Sequence, residues 1–198
     1  MTSTFYTKDQ WNKLGNSLIY FSERDPYLSK TKALKLLYLL EETSLQKFGI
    51  PFLGLRFDVW KLGPVVRDVF VDLSNDQPSL LSTYIKTETD IENNKVIRPV
   101  KEFNDDEFSD NDIAILDLVL STFKDKSAKE LVLLTHRKHS PWYLTAQKNN
   151  LLEYFDEGLI NSTDVEIDFT TLFSEDLSKL EIYRDYKEFL EQKKHLKH

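Results

Sequence analysis

The chain has no cysteine, which excludes disulfides, thiolate metal sites, iron–sulfur clusters and cysteine nucleophiles. Only five of its 198 residues are glycine, and they are scattered, so no phosphate-cradling loop of the P-loop or dinucleotide type can be assembled. Apolar runs are short. The longest, Leu36 to Leu40, falls far below the roughly twenty residues that a membrane helix needs. Met1 to Lys30 is broken by charges and has no apolar signal core, so a cytoplasmic location is expected. A basic excess is lacking as well. Twenty-six Lys and Arg against 33 Asp and Glu leave a formal charge of −7, which opposes bulk nucleic-acid binding while leaving room for a local basic patch.

What is present suffices for a packed domain. Forty per cent of the residues are apolar and 13% aromatic, enough to fill one core. Helical spacing recurs. Thr7 with Gln10 has the form of a capping box opening a helix over Lys8–Glu23, with Trp11, Leu14, Leu18 and Phe21 on one face. Ser29 caps the clearest helix, where Ala33, Leu36, Leu37 and Leu40 repeat at i, i+3, i+4, i+7 and Gly49–Pro51 ends it. Residues 52–62 alternate loosely, and Pro64 suits the first position of a helix running to Ser74. From Tyr84 to Val100 the period shifts to two around Glu92-Asn93-Asn94, predicting a β-hairpin whose second strand Pro99 confines to an edge. Six acids in residues 102–112 mark a solvated linker. Further helices are expected from Ser109 or Asp110, from the Ser127–Glu130 capping box, from Ser140–Pro141, and over Ser174–Lys194, with a frayed basic tail from Lys193 to His198. The expected fold is mainly α (α+β), with six to seven helices and one small β-hairpin. Residues 1–160 would form the helical domain and 161–198 a C-terminal extension packed on it.

Candidate chemistry is sparse. His136 and His139, three apart, could share a helix face as metal ligands, but Ser140–Pro141 interrupts that helix, and a histidine bonded to backbone near a helix end is the better-supported role. A hydrolase built on His136, with or without Ser140, has no G-x-S-x-G elbow around it. The adjacent carboxylates of Glu41–Glu42 diverge by about 100° on a helix and do not converge on one atom, so a solvated face is expected. Arg56, Lys61 and Arg67 around Trp60, and the Arg137-Lys138-His139 cluster, keep a DNA-binding regulator as the alternative function. Trp60 and Trp142, where extended segments meet helix starts, either plug a seam or anchor a partner, with the core role favoured.

Three stretches, taken in order, resemble the Panacea domain family of SocA-like antitoxins and phage-associated proteins. They are Lys32-Ala33-Leu34-Lys35-Leu36-Leu37-Tyr38; Phe57-Asp58-Val59-Trp60-Lys61-Leu62-Gly63-Pro64-Val65-Val66; and Ser127-Ala128-Lys129-Glu130-Leu131 with Leu134-Thr135-His136 and Ser140-Pro141-Trp142. The resemblance spans about Trp11 to Asn149. Val59 stands where the family has alanine, and Ala33-Leu34 replaces Leu-Gln. Membership implies an antitoxin that binds a cognate toxin directly. One branch instead delivers its toxin to an ATP-dependent protease, and both routes stay open at this point. No catalytic residue, metal or cofactor is implied. The family motif falls on Lys35, Tyr38, Trp60, Gly63, Pro64, Thr135, His136, Pro141 and Trp142, residue types that read first as determinants of the fold. The partner-binding surface is predicted at Arg56, Asp58, Trp60, Lys61 and Arg67, where charged groups adjoin an aromatic at a bend.

Overall fold

A computed structural model describes residues 6–195. Its described residues are mainly helical, with eight α-helices, six of them seven residues or longer, and two small antiparallel two-strand sheets. The helices are α1 (Lys8–Arg24), α2 (Lys30–Phe48), α3 (Arg67–Asp72), α4 (Asp110–Phe123), α5 (Ala128–Thr135), α6 (Pro141–Lys148), α7 (Leu151–Asp156) and α8 (Leu177–His195). The strands are β1 (Asp58–Trp60), β2 (Gly63–Val65), β3 (Ile85–Thr89) and β4 (Lys95–Pro99). No helix among the described residues is long and apolar enough to cross a membrane.

α2 is the axis of the core. Ser29 Oγ accepts from Lys32 N at 3.3 Å, satisfying one free donor of the first turn. Gly49 closes the helix at φ +70°, with its N–H on the Leu45 carbonyl at 2.8 Å. Leu34, Leu36, Leu37, Tyr38, Leu39 and Leu40 are all buried, so apolar groups surround the helix on every side. α1, α4, α5, the β1–β2 hairpin and a 3-10 turn at Phe169–Phe173 pack around it. The expected capping boxes are present at Thr7–Gln10 and Ser127–Glu130, and a third pairs Ser109 with Asp112 at the α4 start.

Two expectations require correction. Gly63–Pro64 does not begin a helix. It forms strand β2, paired antiparallel with β1 through Asp58↔Val65, Val59↔Pro64 and Trp60↔Gly63. Gly63 returns the chain at φ +94°, a non-helical conformation, and Val66 is still extended, so helix α3 starts three residues later at Arg67. α7, absent from the expected elements, comes after Asn150 at φ +55°. The expected hairpin at 84–100 is β3–β4, in the register Ile85↔Pro99 to Thr89↔Lys95, and the N–H of Ile97 on its outer edge reaches the Leu28 carbonyl at 2.9 Å. The acidic stretch stays largely exposed, although Phe103 and Phe108 pack on the core and Asp112 pairs with Lys13 at 2.7 Å. The predicted basic tail starts inside α8, and residues 196–198 lie outside the described residues.

Beyond α7, residues 161–167 lie along the free edge of β1. Val59 N donates to Val165 O, Ile167 N to Phe57 O and Lys61 N to Asn161 O, all at 2.8–2.9 Å. β1 is therefore bonded on both edges, held between β2 on one side and the C-terminal region on the other.

Candidate functional site

Two places in the fold gather the residues singled out by sequence. The first is a buried junction of α2, the β1–β2 hairpin and the α5–α6 turn. Lys35, 2% exposed, sends Nζ to the Pro64 carbonyl at 2.9 Å and forms no ion pair with any described residue. Burial pulls its pKa down to about 7. Gly63 leaves no room for a side chain. A Cβ there would stand 2.7 Å from Thr135 Oγ1 and 3.0 Å from Lys35 Nζ. Thr135 Oγ1 caps its own helix by donating to Val132 O at 2.9 Å, and Ser140 Oγ donates to Thr135 O at 2.8 Å while accepting from Tyr143 N at 3.1 Å. Trp142, buried, donates from Nε1 to the Trp60 carbonyl at 3.0 Å. It plugs the seam between hairpin and helix, as favoured from sequence. Tyr38 stacks on Phe169 at 5.8 Å and meets Phe57 edge-on at 5.6 Å.

His136 lies at the same junction, its ring 3.9 Å from that of Trp142 and its Nε2 enclosed without a hydrogen-bond partner. Burial first, then the charge of Lys35, lowers its pKa to about 4, so the imidazole stays neutral at physiological pH. His139 sits in the next turn at φ +68° and is exposed. The turn thus separates the two histidines, one in and one out. Among the described residues no three His, Cys, Asp or Glu are grouped to hold a metal ion.

The second place holds the predicted partner surface. Asp58 is buried and receives two guanidinium groups, Arg56 Nε at 2.8 Å and Arg67 Nη2 at 3.3 Å. Arg67 also pairs with Asp164, and Arg56 reaches the Asp164 carbonyl at 2.5 Å. Hydrogen bonds to these carboxylates raise both arginines, and Arg67 holds the Asp164 carboxyl below its usual value. Trp60 is half-buried, donating to Thr163 O at 3.2 Å and meeting Phe70 edge-on at 4.8 Å. The side chains of four of the five predicted residues therefore tie the 161–167 segment to the hairpin. Lys61 bonds that segment through its backbone N–H alone. It stands on the hairpin tip beside Leu62, which is 65% exposed, with Gly158 and the exposed Leu159 alongside.

Arg56, Asp58 and Arg67 also border a groove of about 540 Å³ between this network and α8. Glu41, on its lining, corrects an expectation: Glu41 and Glu42 do not form a solvated face but are both buried, Glu42 paired with Arg137. The two Glu41 oxygens accept from Leu53 N at 2.7 Å and Gly54 N at 3.1 Å. Burial pushes its pKa up to about 7, against the pull of those two N–H groups. The signal that could have found it is a carboxylate on the apolar side of α2, twelve residues before a loop.

The fold and these two places define a helical domain whose distinctive side chains serve packing and chain crossing. The family model of the antitoxin SocA-like, Panacea domain matches residues 34–143, and the chain belongs to that family. No curated protein and no solved structure gave a match. All nine motif residues fall inside the matched span, whereas residues 161–167 and α8 lie beyond it.

Proposed function

We propose that this chain is an antitoxin that neutralises a cognate toxin protein by direct binding and carries out no catalysis. The observation that supports this most is the inward use of the family motif. Lys35, Tyr38, Gly63, Thr135 and Trp142 are all buried in the junction, and the basic nitrogen of His136 is enclosed. These groups hold a rigid body together, and the exposed surface is left to meet a partner. A specific complex of this kind buries about 1,200–2,000 Å² in total. With a formal charge of −7, the chain is suited to steering a basic toxin towards it.

Within that reading, the surface carrying Arg56, Asp58, Trp60, Lys61 and Arg67 is one contact region, with Lys61 and Leu62 at its accessible tip. The DNA-binding alternative has less support, because Arg56 and Arg67 are already spent on Asp58 and Asp164. The test is co-expression with the product of the adjoining gene. That product should arrest growth alone, and the two chains should co-purify and restore growth together. A harmless product that does not co-purify would remove the reading.

A further inference from the structure

Five carboxylates among the described residues are buried: Asp25, Glu41, Glu42, Asp58 and Asp72. Four are provided for. Asp25 pairs with Lys32, Glu42 with Arg137, and Asp58 with Arg56 and Arg67. Asp72 forms no ion pair with a described residue but accepts from Ser79 N, Leu80 N, Leu81 N and Ser79 Oγ at 2.7–3.0 Å. Glu41 is the exception. It is 2% exposed, forms no ion pair with a described residue, and accepts only from the N–H groups of Leu53 and Gly54. The two lysines whose charge reaches it are committed elsewhere, Lys13 to Asp112 and Lys187 to Glu166.

Glu41 lines the groove of about 540 Å³, a volume suited to a small ligand. Tyr183 lines the same groove. It is 8% exposed, and its hydroxyl forms no hydrogen bond with any described residue. Burial first, then the charges of Glu41 and Glu166, raise its pKa, which puts the hydroxyl near two carboxylates of the lining. Leu55, Phe169 and Leu190 supply apolar wall. Six carboxylates against Arg56, Arg67 and Lys187 make the lining net negative, and each of those three cations is already bound to one of the six.

We infer that this groove is a binding site for an organic cation, a guanidinium or ammonium group on an alkyl stem, with Glu41 as its counter-charge and the Tyr183 hydroxyl as a further acceptor. The cation is either a free amine or the side chain of a Lys or Arg on a partner, and both present the same chemistry. A buried carboxylate without a cation is costly, and the ligand supplies the missing half of the pair. The Tyr183 and Phe169 rings suit the stem and the charge alike. An anion would meet a net negative lining whose cations are spent, and a neutral ligand would leave Glu41 as it is. The raised pKa of Glu41, about 7, fits a group that becomes fully charged when a cation arrives and releases its proton in doing so. The site does not depend on the antitoxin reading.

The experiment titrates the full chain calorimetrically with n-butylguanidinium and with its neutral isostere, n-butylurea. At pH 7 n-butylguanidinium should bind saturably at one site and release up to about half a proton, read from the dependence of the heat on the buffer. Its affinity should rise roughly tenfold between pH 6 and pH 8. n-Butylurea and Glu41→Gln should each weaken binding at least roughly tenfold, and Glu41→Gln should abolish the proton release. Tyr183→Phe should weaken binding roughly threefold. It keeps the ring and removes one oxygen, so it carries the test if Glu41→Gln does not fold. Absence of saturable n-butylguanidinium binding, equal binding of n-butylurea, or wild-type affinity in both variants would overturn the inference. A second titration adds the product of the adjoining gene. Its displacement by n-butylguanidinium would support the site with a partner's Lys or Arg as the source, and joint occupancy would support it with a free amine. A gene product that does not bind the chain would remove the antitoxin reading and leave the calorimetric result standing.

Discussion

The α2–hairpin–α5 junction and α8 dispose their side chains in opposite ways. In the junction, a lysine, a threonine, a histidine and a tryptophan are folded inward, and the Lys35 and Trp142 hydrogen bonds close crossings between elements. On α8, phenylalanine, isoleucine and three carboxylates point outward, and one buried tyrosine with a few anchors holds the helix down. The difference separates two tasks. The matched span encloses most of its motif residues, and α8, beyond that span, exposes most of its side chains. Mutations in the first should cost stability, and mutations on the exposed side of the second should leave it nearly unchanged.

The sharpest way to break this contrast is Gly63→Ala. It places a Cβ 2.7 Å from Thr135 Oγ1 on a residue at φ +94°, so strain and overpacking act together. A loss of about 2–4 kcal/mol is expected in denaturant titration. A loss below about 0.5 kcal/mol would mean that the junction yields easily. Next comes Asp58→Ala, which leaves Arg56 and Arg67 without their shared buried acceptor and loosens the 161–167 segment. A cost of about 1–3 kcal/mol is expected, read as a lower thermal midpoint.

The pH dependence of stability sharpens the contrast further. Lys35 has a folded pKa near 7 against 10.5 in the unfolded chain. Between those values the unfolded state holds a proton that the folded state has released, so this group makes stability rise with pH from about 7 to 10.5. His136, with a folded pKa of about 4 against 6.5, makes stability fall as pH drops from 6.5 towards 4. Glu41 works in the opposite direction. Its folded pKa of about 7 lies above the unfolded 4.5, so its contribution falls as pH rises through that window. Lys35→Met should flatten the alkaline rise, and His136→Phe should flatten the acid fall. Unchanged slopes in both would mean that neither group sits in so desolvated a place.

The smallest expected stability effect is at the hairpin tip. Lys61→Glu should move stability by less than about 0.5 kcal/mol while weakening toxin binding. Arg67→Glu should lower both, because Arg67 is bound to Asp58 and Asp164.

The helices were legible because their signals are local. Thr7–Gln10, Ser127–Glu130 and Ser140–Pro141 each declare a helix start within four residues, and all three starts stand in the structure. The β1–β2 hairpin was not legible, because Gly-Pro suits both a helix start and a strand, and the deciding contacts are distant. Lys35 takes the Pro64 carbonyl and residues 161–167 bond the other edge of β1. The candidate surface shows the same divide. Its charged residues can be found near Trp60 in sequence, but their engagement depends on Asp164, which lies 97 residues from Arg67. α7 was missed because six residues carry too short a periodic pattern to stand out.

The most direct test of an antitoxin that acts by occupying its partner is a stoichiometric titration of the toxin's activity with the purified chain. Residual activity should fall in proportion to the chain added, reach zero at a fixed molar ratio, and stay constant with time at every sub-equivalent point. Progressive loss of activity at a small fraction of that ratio would show turnover and contradict the account.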